Sequence, residues 1–255
     1  MILNLAAYHF TPVADPAMLA ARLRVRAEAA ALRGTILVAG EGLNMFLAGP
    51  EPGITSFIAE LRLDERFADI VAKYSRSTSQ PFGRLKVKVK PEIISFRRDS
   101  ASPLEGRAPA VAPEDLQRWI QRGRDDNGRR LVLLDTRNRE EVAYGTFEGA
   151  LTLPIDNFTE LPEALAPHRE MLADATVVSF CTGGIRCEKA ALWLRADGMD
   201  NLLQLDGGIL GYFEQVGGAG YSGDCFVFDE RVALSPALEP LRTGTASADG
   251  APAAA

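Results

Sequence analysis

Apolar residues recur along the chain with two different periods, and the switches between them outline its elements. Ile2–Phe10 is apolar and extended, and Pro12 and Pro16 close it. Over 17–32, Leu19, Leu23 and Ala27 fall four apart, a helical stripe that ends at Gly34. Residues 35–39 and 45–48 are short β-type runs, and Gly40, Glu41, Gly42, Leu43 and Asn44 make the turn between them. Ile54, Phe57, Ile58 and Leu61 repeat at i, i+3, i+4 and i+7, which predicts an amphipathic helix over 52–62. Residues 69–75 and 85–96 read as further strands. The order β-α-β-β-α-β is the split βαβ pattern of a ferredoxin-like sandwich.

Periodicity then lapses. Residues 99–113, with three Pro and several Ala, are expected to form a linker between a domain over 1–98 and a second over 114–235. The stretch PEDLQRWIQRG opens the second domain as a helix. Continuous apolar strands at 131–134, 177–180 and 202–205, each followed by helical sequence, predict an α/β architecture with a parallel sheet covered on both faces. From 236 to 255 the chain turns Ala/Gly/Ser/Thr-rich and reads as a disordered tail.

Length and composition agree with two globular domains: 255 residues, 47% of them hydrophobic, bury two cores. No apolar run reaches the roughly 18 residues of a membrane helix. The start, MILNLAAYHFTP, lacks a basic n-region, and three Cys without paired spacing fit a reducing compartment, so a cytoplasmic location is expected. The net charge of −6 hides an asymmetry. Residues 1–100 carry 14 Lys+Arg against 10 Asp+Glu, a balance of +4, and the rest carries −10. Lys86, Lys88 and Lys90 alternate with Val87 and Val89, so three ammoniums share one face of a strand, with Arg84 extending that side and Arg97 and Arg98 close in sequence. The stripe reads either as a solvated outer face or as a phosphate-binding surface with salt-sensitive affinity.

The chemistry concentrates in VVSFCTGGIRCEKA. A strand delivers Cys181 to its C-terminal end, where ligands of open α/β sheets bind. Thr182, Gly183, Gly184 and Ile185 then curl the backbone ahead of Arg186 and a helix over 187–194. Inward N–H groups, the helix N-terminus and the guanidinium all favour an anion at the sulfur, which makes Cys181 a nucleophilic thiolate. No Rossmann fingerprint and no facial triad are present, and three Cys with two His leave no structural zinc set, so neither cofactor nor metal is expected.

CTGGIR resembles the six-residue active loop of the rhodanese family, whose cysteine carries a persulfide. LDTR at Leu134–Arg137, GTFEGA at Gly145–Ala150 (Thr146 replacing the usual His) and LDGG at Leu205–Gly208 are similar to further rhodanese features. More narrowly, CTGGIRCEKA, LLDTRN and GDCFVFDERVAL resemble the tRNA uridine(34) hydroxylases, as do Ala6, Tyr8 and Phe10, RGTILVAGEGLN and QPFGRLKVKVKPEI. The chain departs from that pattern at Gly40, where an acidic residue is usual, and has no Cys-rich segment after FVFDERV. The resemblance implies a ferredoxin-like (acylphosphatase-like) domain followed by a rhodanese-like domain. It also implies hydroxylation of the wobble uridine of tRNA at C5 with molecular oxygen as co-substrate, Cys181 as the essential cysteine and the anticodon arm as partner. A sulfurtransferase carrying a persulfide on Cys181 is the rival; it leaves the basic domain without a task.

The remaining candidates stay open on sequence grounds. Cys187 is a resolving thiol or a small residue on the first helical turn. Cys225 reads as structural. Glu41 and Asn44 line a cleft or simply make a turn, and Tyr8, His9 and Phe10 offer faces for a base or sit in a strand. Asp135 and Arg137 are expected to pair near the active loop in its support.

Overall fold

A computed structural model describes residues 1–98, 102–104 and 106–241. The N-terminal elements are β1 (Ile2–Phe10), α1 (Pro16–Ala29), β2 (Arg33–Ala39), β3 (Gly42–Gly49), α2 (Glu51–Arg62), β4 (Ala72–Ser77) and β5 (Leu85–Val89). They form one sheet in the order β4-β1-β3-β2-β5, the ferredoxin-like arrangement with β5 added parallel to β2 at its edge. Strand alternation sorts the side chains. Leu3, Leu5 and Ala7 of β1, Leu43, Met45 and Leu47 of β3, and Ile36 and Val38 of β2 pack under the helices with Leu19, Leu23, Ile54 and Phe57. The other face carries no helix of this domain, and it holds the alternate set, Ala6, Tyr8, Asn44, Phe46, Leu37 and Lys73.

The second half comprises β6 (Ala110–Val111), α3 (Pro113–Arg122), β7 (Arg130–Asp135), α4 (Arg139–Val142), β8 (Gly145–Phe147) and β9 (Leu151–Thr152). It continues with α5 (Leu161–Leu165), α6 (Arg169–Leu172), β10 (Ala175–Phe180), α7 (Ile185–Ala196), β11 (Leu202–Leu205) and α8 (Gly208–Val216). Three short strands, β12 (Tyr221–Gly223), β13 (Cys225–Phe226) and β14 (Ala233–Leu234), complete it. The main sheet has the order β6-β11-β10-β7-β9, with every pairing parallel. Every residue of the central β10 is buried, including Thr176 and Ser179, whose hydroxyls donate to Asp125 and to the Leu203 carbonyl. No helix among the described residues is long and apolar enough to cross a membrane.

Three sequence expectations change. The strand expected to run to Phe96 stops at Val89, because Lys90 makes the last ladder bond to Val38 and Pro91 has no N–H to offer. The freed 92–96 segment folds between the domains instead, burying Ile93 and Phe96. The expected linker is partly structured: Ala108 is buried and β6 pairs with β11 as an edge strand, while 99–101 and 105 lie outside the described residues. Of the expected disordered tail, 236–241 folds back, with Leu241 N–H donating to Ala233 and Leu238 packed on the core; 242–255 lie outside the described residues.

Candidate active site

Cys181 follows the last residue of β10, and its loop is clamped from beneath by α8. The N–H groups of Ile209 and Leu210 donate to the carbonyls of Cys181 and Thr182 (2.9 and 3.0 Å). That approach demands glycine at 208: φ is +65°, and a Cβ there would lie 2.5 Å from the Cys181 carbonyl oxygen. The late LDGG is therefore the floor of the loop. Gly184, with φ +100°, turns the chain into α7, and its N–H donates to Cys181 Sγ at 3.2 Å. Burial alone would raise the Cys181 pKa. The neighbouring Cys187 thiol, the Arg186 charge and the N–H groups of Cys187 and Arg186 outweigh it and hold the thiol well below its ordinary value.

Arg186 is itself fixed. It makes a two-pronged ion pair with Glu141 (2.5 and 2.6 Å), both side chains buried. Glu141 also accepts from Thr182 Oγ1 (3.3 Å) and from the Asn138 N–H at the start of α4 (3.2 Å). Cys187 points away from solvent beside Thr136 Oγ1 (3.4 Å), and burial with the adjacent Cys181 pushes its thiol up. Cys225 is buried in β13 and its thiol is pushed up to about 12 by burial.

Asp135 and Arg137 pair as expected, fully buried, but they bind a different segment. Arg137 donates to the Gly145 carbonyl, and Asp135 accepts from Thr146 Oγ1 (2.8 Å), so the pair locks the 145–146 turn. Neither side chain bonds the 181–186 loop. Thr136 between them holds the strand end just before the loop, donating from its N–H and its Oγ1 to the Phe180 carbonyl.

The unhelical face of the N-terminal sheet lies over this loop. Between the two is a cavity of about 440 Å³, walled on one side by Cys181, Thr182, Gly183, Ile185 and Arg186 and on the other by Tyr8, Leu37, Asn44, Phe46, Lys73 and Lys90. Lys90 is the only member of the basic stripe on the cavity wall. Lys86 and Lys88 lie outward along the same exposed face of β5, and Arg84 is exposed just before the strand. Arg97 lines the cavity too, whereas Arg98 is committed to Glu163 and to the Trp193 ring, 5.6 Å away.

Lys73 escaped the sequence reading. Its ammonium donates to the Gly183 carbonyl at 3.0 Å and lies 5.7 Å from the Tyr8 ring centre. Burial lowers its pKa, against the opposing pull of Cys181, Asp206, Glu214 and Glu188. Tyr8 donates to Glu188 (2.8 Å); His9 lines a separate cavity, and Phe10 packs in the small apolar cluster of Ala39, Ile93 and Ile185. Glu41 does not reach the base-sized cavity. It stands in the β2–β3 turn and, with Glu92, holds the buried Lys189 ammonium (2.8 and 2.6 Å) across the domain interface. Glu141 and Lys189 were invisible in the sequence because nothing local distinguishes them from ordinary helical charges.

A cysteine so activated, in a C-x-x-x-x-R loop at the end of a parallel strand, defines a rhodanese-type reactive centre, here roofed by a second domain. Residues 112–215 match the family model described as "Rhodanese-like domain", and residues 2–93 match "UPF0176 acylphosphatase like domain". The chain is 70% identical over 249 residues to a protein of Xanthomonas campestris pv. campestris (strain 8004) named tRNA uridine(34) hydroxylase, with 98% of each chain covered. A protein of the same name from Xylella fastidiosa (strain 9a5c) is 63% identical over 241 residues, 94% of each chain. The chain belongs to the tRNA uridine(34) hydroxylase family. A solved rhodanese-like domain from Anabaena sp. is 19% identical, covering 45% of this chain and 79% of that one, with a TM-score of 0.36.

Proposed function

We propose that the protein hydroxylates C5 of the uridine at tRNA position 34, with molecular oxygen as co-substrate and Cys181 as the reacting group. The observation that supports this best is the shared cavity, which puts an activated cysteine opposite a sheet face whose edge strand is basic. A wobble base stands in a single-stranded loop and enters such a cavity without opening a duplex. Its flanking phosphates, on the anticodon arm, meet Lys90 and Arg97 at the cavity and Lys86, Lys88 and Arg84 beyond it.

In chemical terms, one oxygen atom enters C5 and the other leaves as water, so two electrons and two protons come from a reductant such as a cellular thiol. The loop serves this by keeping Cys181 as a thiolate. That thiolate either adds to C6, making C5 enolate-like and reactive toward oxygen, or is first oxidised by oxygen and the reductant to a sulfenate, with water released, and the sulfenate passes its oxygen to C5 and returns to thiolate. No resident cofactor enters either route. Both routes use the same donors at Sγ, and Arg186 holds the charge balance beside them. Deleting the gene and measuring wobble nucleosides by mass tests the assignment: 5-hydroxyuridine derivatives disappear, and Cys181→Ala does not restore them. Unchanged derivatives in a strain without a redundant pathway would overturn it.

A further inference from the structure

Asn44 sits mid-strand on β3, paired with Tyr8 of β1 on one side and Leu37 of β2 on the other. Its side chain belongs to the sheet face that forms the cavity wall, and the residue is 6% exposed. The amide is oriented by one bond: Nδ2 donates to the Ile93 carbonyl at 3.2 Å. A carbonyl only accepts, so the nitrogen must face Ile93 and Oδ1 must face the other way. Among the described residues Oδ1 has no donor. Nor is it one of the described side-chain atoms that are both sealed from solvent and unpartnered, which are Trp119 Nε1, Arg137 Nη1 and Asn138 Oδ1. It is an acceptor held open to the cavity, and a nearly buried acceptor without a partner is costly unless a ligand satisfies it.

We infer that Asn44 Oδ1 receives the N3–H of the target base and thereby selects uracil over cytosine. This rests on the wobble-uridine reading above. Uracil carries a donor at N3, whereas cytosine carries a bare acceptor there, so the same oxygen attracts one base and repels the other. Ring geometry supports the assignment. N3 and C6 lie across the pyrimidine from each other, so a base held by N3 at the sheet wall turns its C5–C6 edge to the facing wall. Cys181 is on that wall. Recognition of the base and attack on it therefore use opposite sides of one cavity. Enzymes that act on an extruded base commonly read its pairing edge in this way.

The test uses anticodon stem-loops bearing uridine, N3-methyluridine or cytidine at position 34, with the wild-type protein and Asn44→Ala. Methylation removes the donor and adds bulk where Oδ1 stands. We expect it to lower wild-type kcat/KM by roughly 100-fold or more, with no binding competition from the cytidine loop. Asn44→Ala should lose about 10- to 100-fold on uridine, while the methylation penalty shrinks to a few-fold because truncation makes room for the methyl group. Alkylation of Cys181 and the unfolding midpoint report whether the loop and fold survive the substitution. An Asn44→Ala protein that keeps the full methylation penalty, or that equals wild type on uridine, overturns the inference alone. Wild-type protein that forms no 5-hydroxyuridine overturns the functional reading and this inference with it.

Discussion

Glu141→Gln separates the two jobs of Arg186, structural pairing and electrostatic activation of Cys181. The substitution keeps the volume of the side chain but puts an NH2 where one carboxylate oxygen accepts from the guanidinium. Both oxygens are in use, Oε2 toward Arg186 Nη1 and the Asn138 N–H, and Oε1 toward Arg186 Nη2 and Thr182. Breaking a buried, two-pronged pair costs about 3–5 kcal/mol, because the remaining charge stays buried without its partner. At a urea m-value of about 2 kcal/mol/M this lowers the midpoint of the second domain by roughly 1.5–2.5 M. Reactivity moves the other way. Glu141 neutralises part of the field that Arg186 exerts on Cys181, so its removal depresses the thiol pKa further, by on the order of one unit at close range. Iodoacetamide alkylation of Cys181 against pH reads this directly: the inflection shifts to lower pH while the midpoint falls. An inflection that moves up, or does not move, would falsify the idea that Arg186 acts on the thiolate as a charge. An unchanged midpoint would show that the pair contributes little to folding.

Lys73→Met removes a cation beside Cys181 and should shift the same inflection upward, opposite in sign to Glu141→Gln; a shared direction would contradict the electrostatic account. Replacing Lys86 and Lys88 together by Ala should weaken tRNA binding at every sequence and flatten the plot of log K against log salt by about 1.4, with Cys181 alkylation unchanged; an unaltered slope assigns the stripe to solvent. Burial raises the pKa of Glu141, but Arg186, Arg137 and the Asn138 N–H outweigh it and leave the carboxyl below its ordinary range. The stability it confers is thus complete above the ordinary carboxyl pKa and is lost as pH falls through the depressed folded value. Wild-type denaturation midpoints should therefore drop steeply below about pH 4, and Glu141→Gln should show a shallower acid limb. Lys189→Met leaves two half-buried carboxylates facing each other across the interface and should raise KM for tRNA by about tenfold or more; rescue in the triple variant with Glu41→Gln and Glu92→Gln would tie that loss to the charges.

The sequence was most legible where one period governed one element. The four-residue stripe of α1 and the i, i+3, i+4, i+7 set of α2 followed from packing on one core, and the mostly apolar β10 from burial on both faces. The rhodanese loop was legible for a related reason: its glycines, Cys181 and Arg186 must be contiguous to bend around one sulfur. Lys73, Glu141 and Lys189 were not, because each acts on a partner dozens of residues away, as with Lys73 and Gly183, 110 positions apart. A usable signal did exist in the alternation. Along β5 it marks Lys86, Lys88 and Lys90, and the same count along β1, β3 and β4 puts Tyr8, Asn44 and Lys73 on that face. An uncovered sheet face with such polar members calls for a second layer, and the second domain supplies it.

The first two turns of α7 connect recognition to reactivity. Arg186 is tied to Glu141 in its own domain, Glu188 accepts from Tyr8, and Lys189 is gripped by Glu41 and Glu92 of the other. The same turns supply the N–H groups of Arg186 and Cys187 that stabilise the Cys181 thiolate. The N-terminal sheet therefore does more than wall the cavity. It sets where the helix N-terminus stands relative to the sulfur, and Lys73 pins the intervening Gly183 carbonyl from the same side. A substitution at the interface should then alter thiolate reactivity together with substrate affinity, whereas one in the outer lysine stripe should alter affinity alone. An isolated rhodanese loop needs only its own donors to hold an anion. Here part of that anion site is positioned by the domain that lines the opposite wall of the cavity.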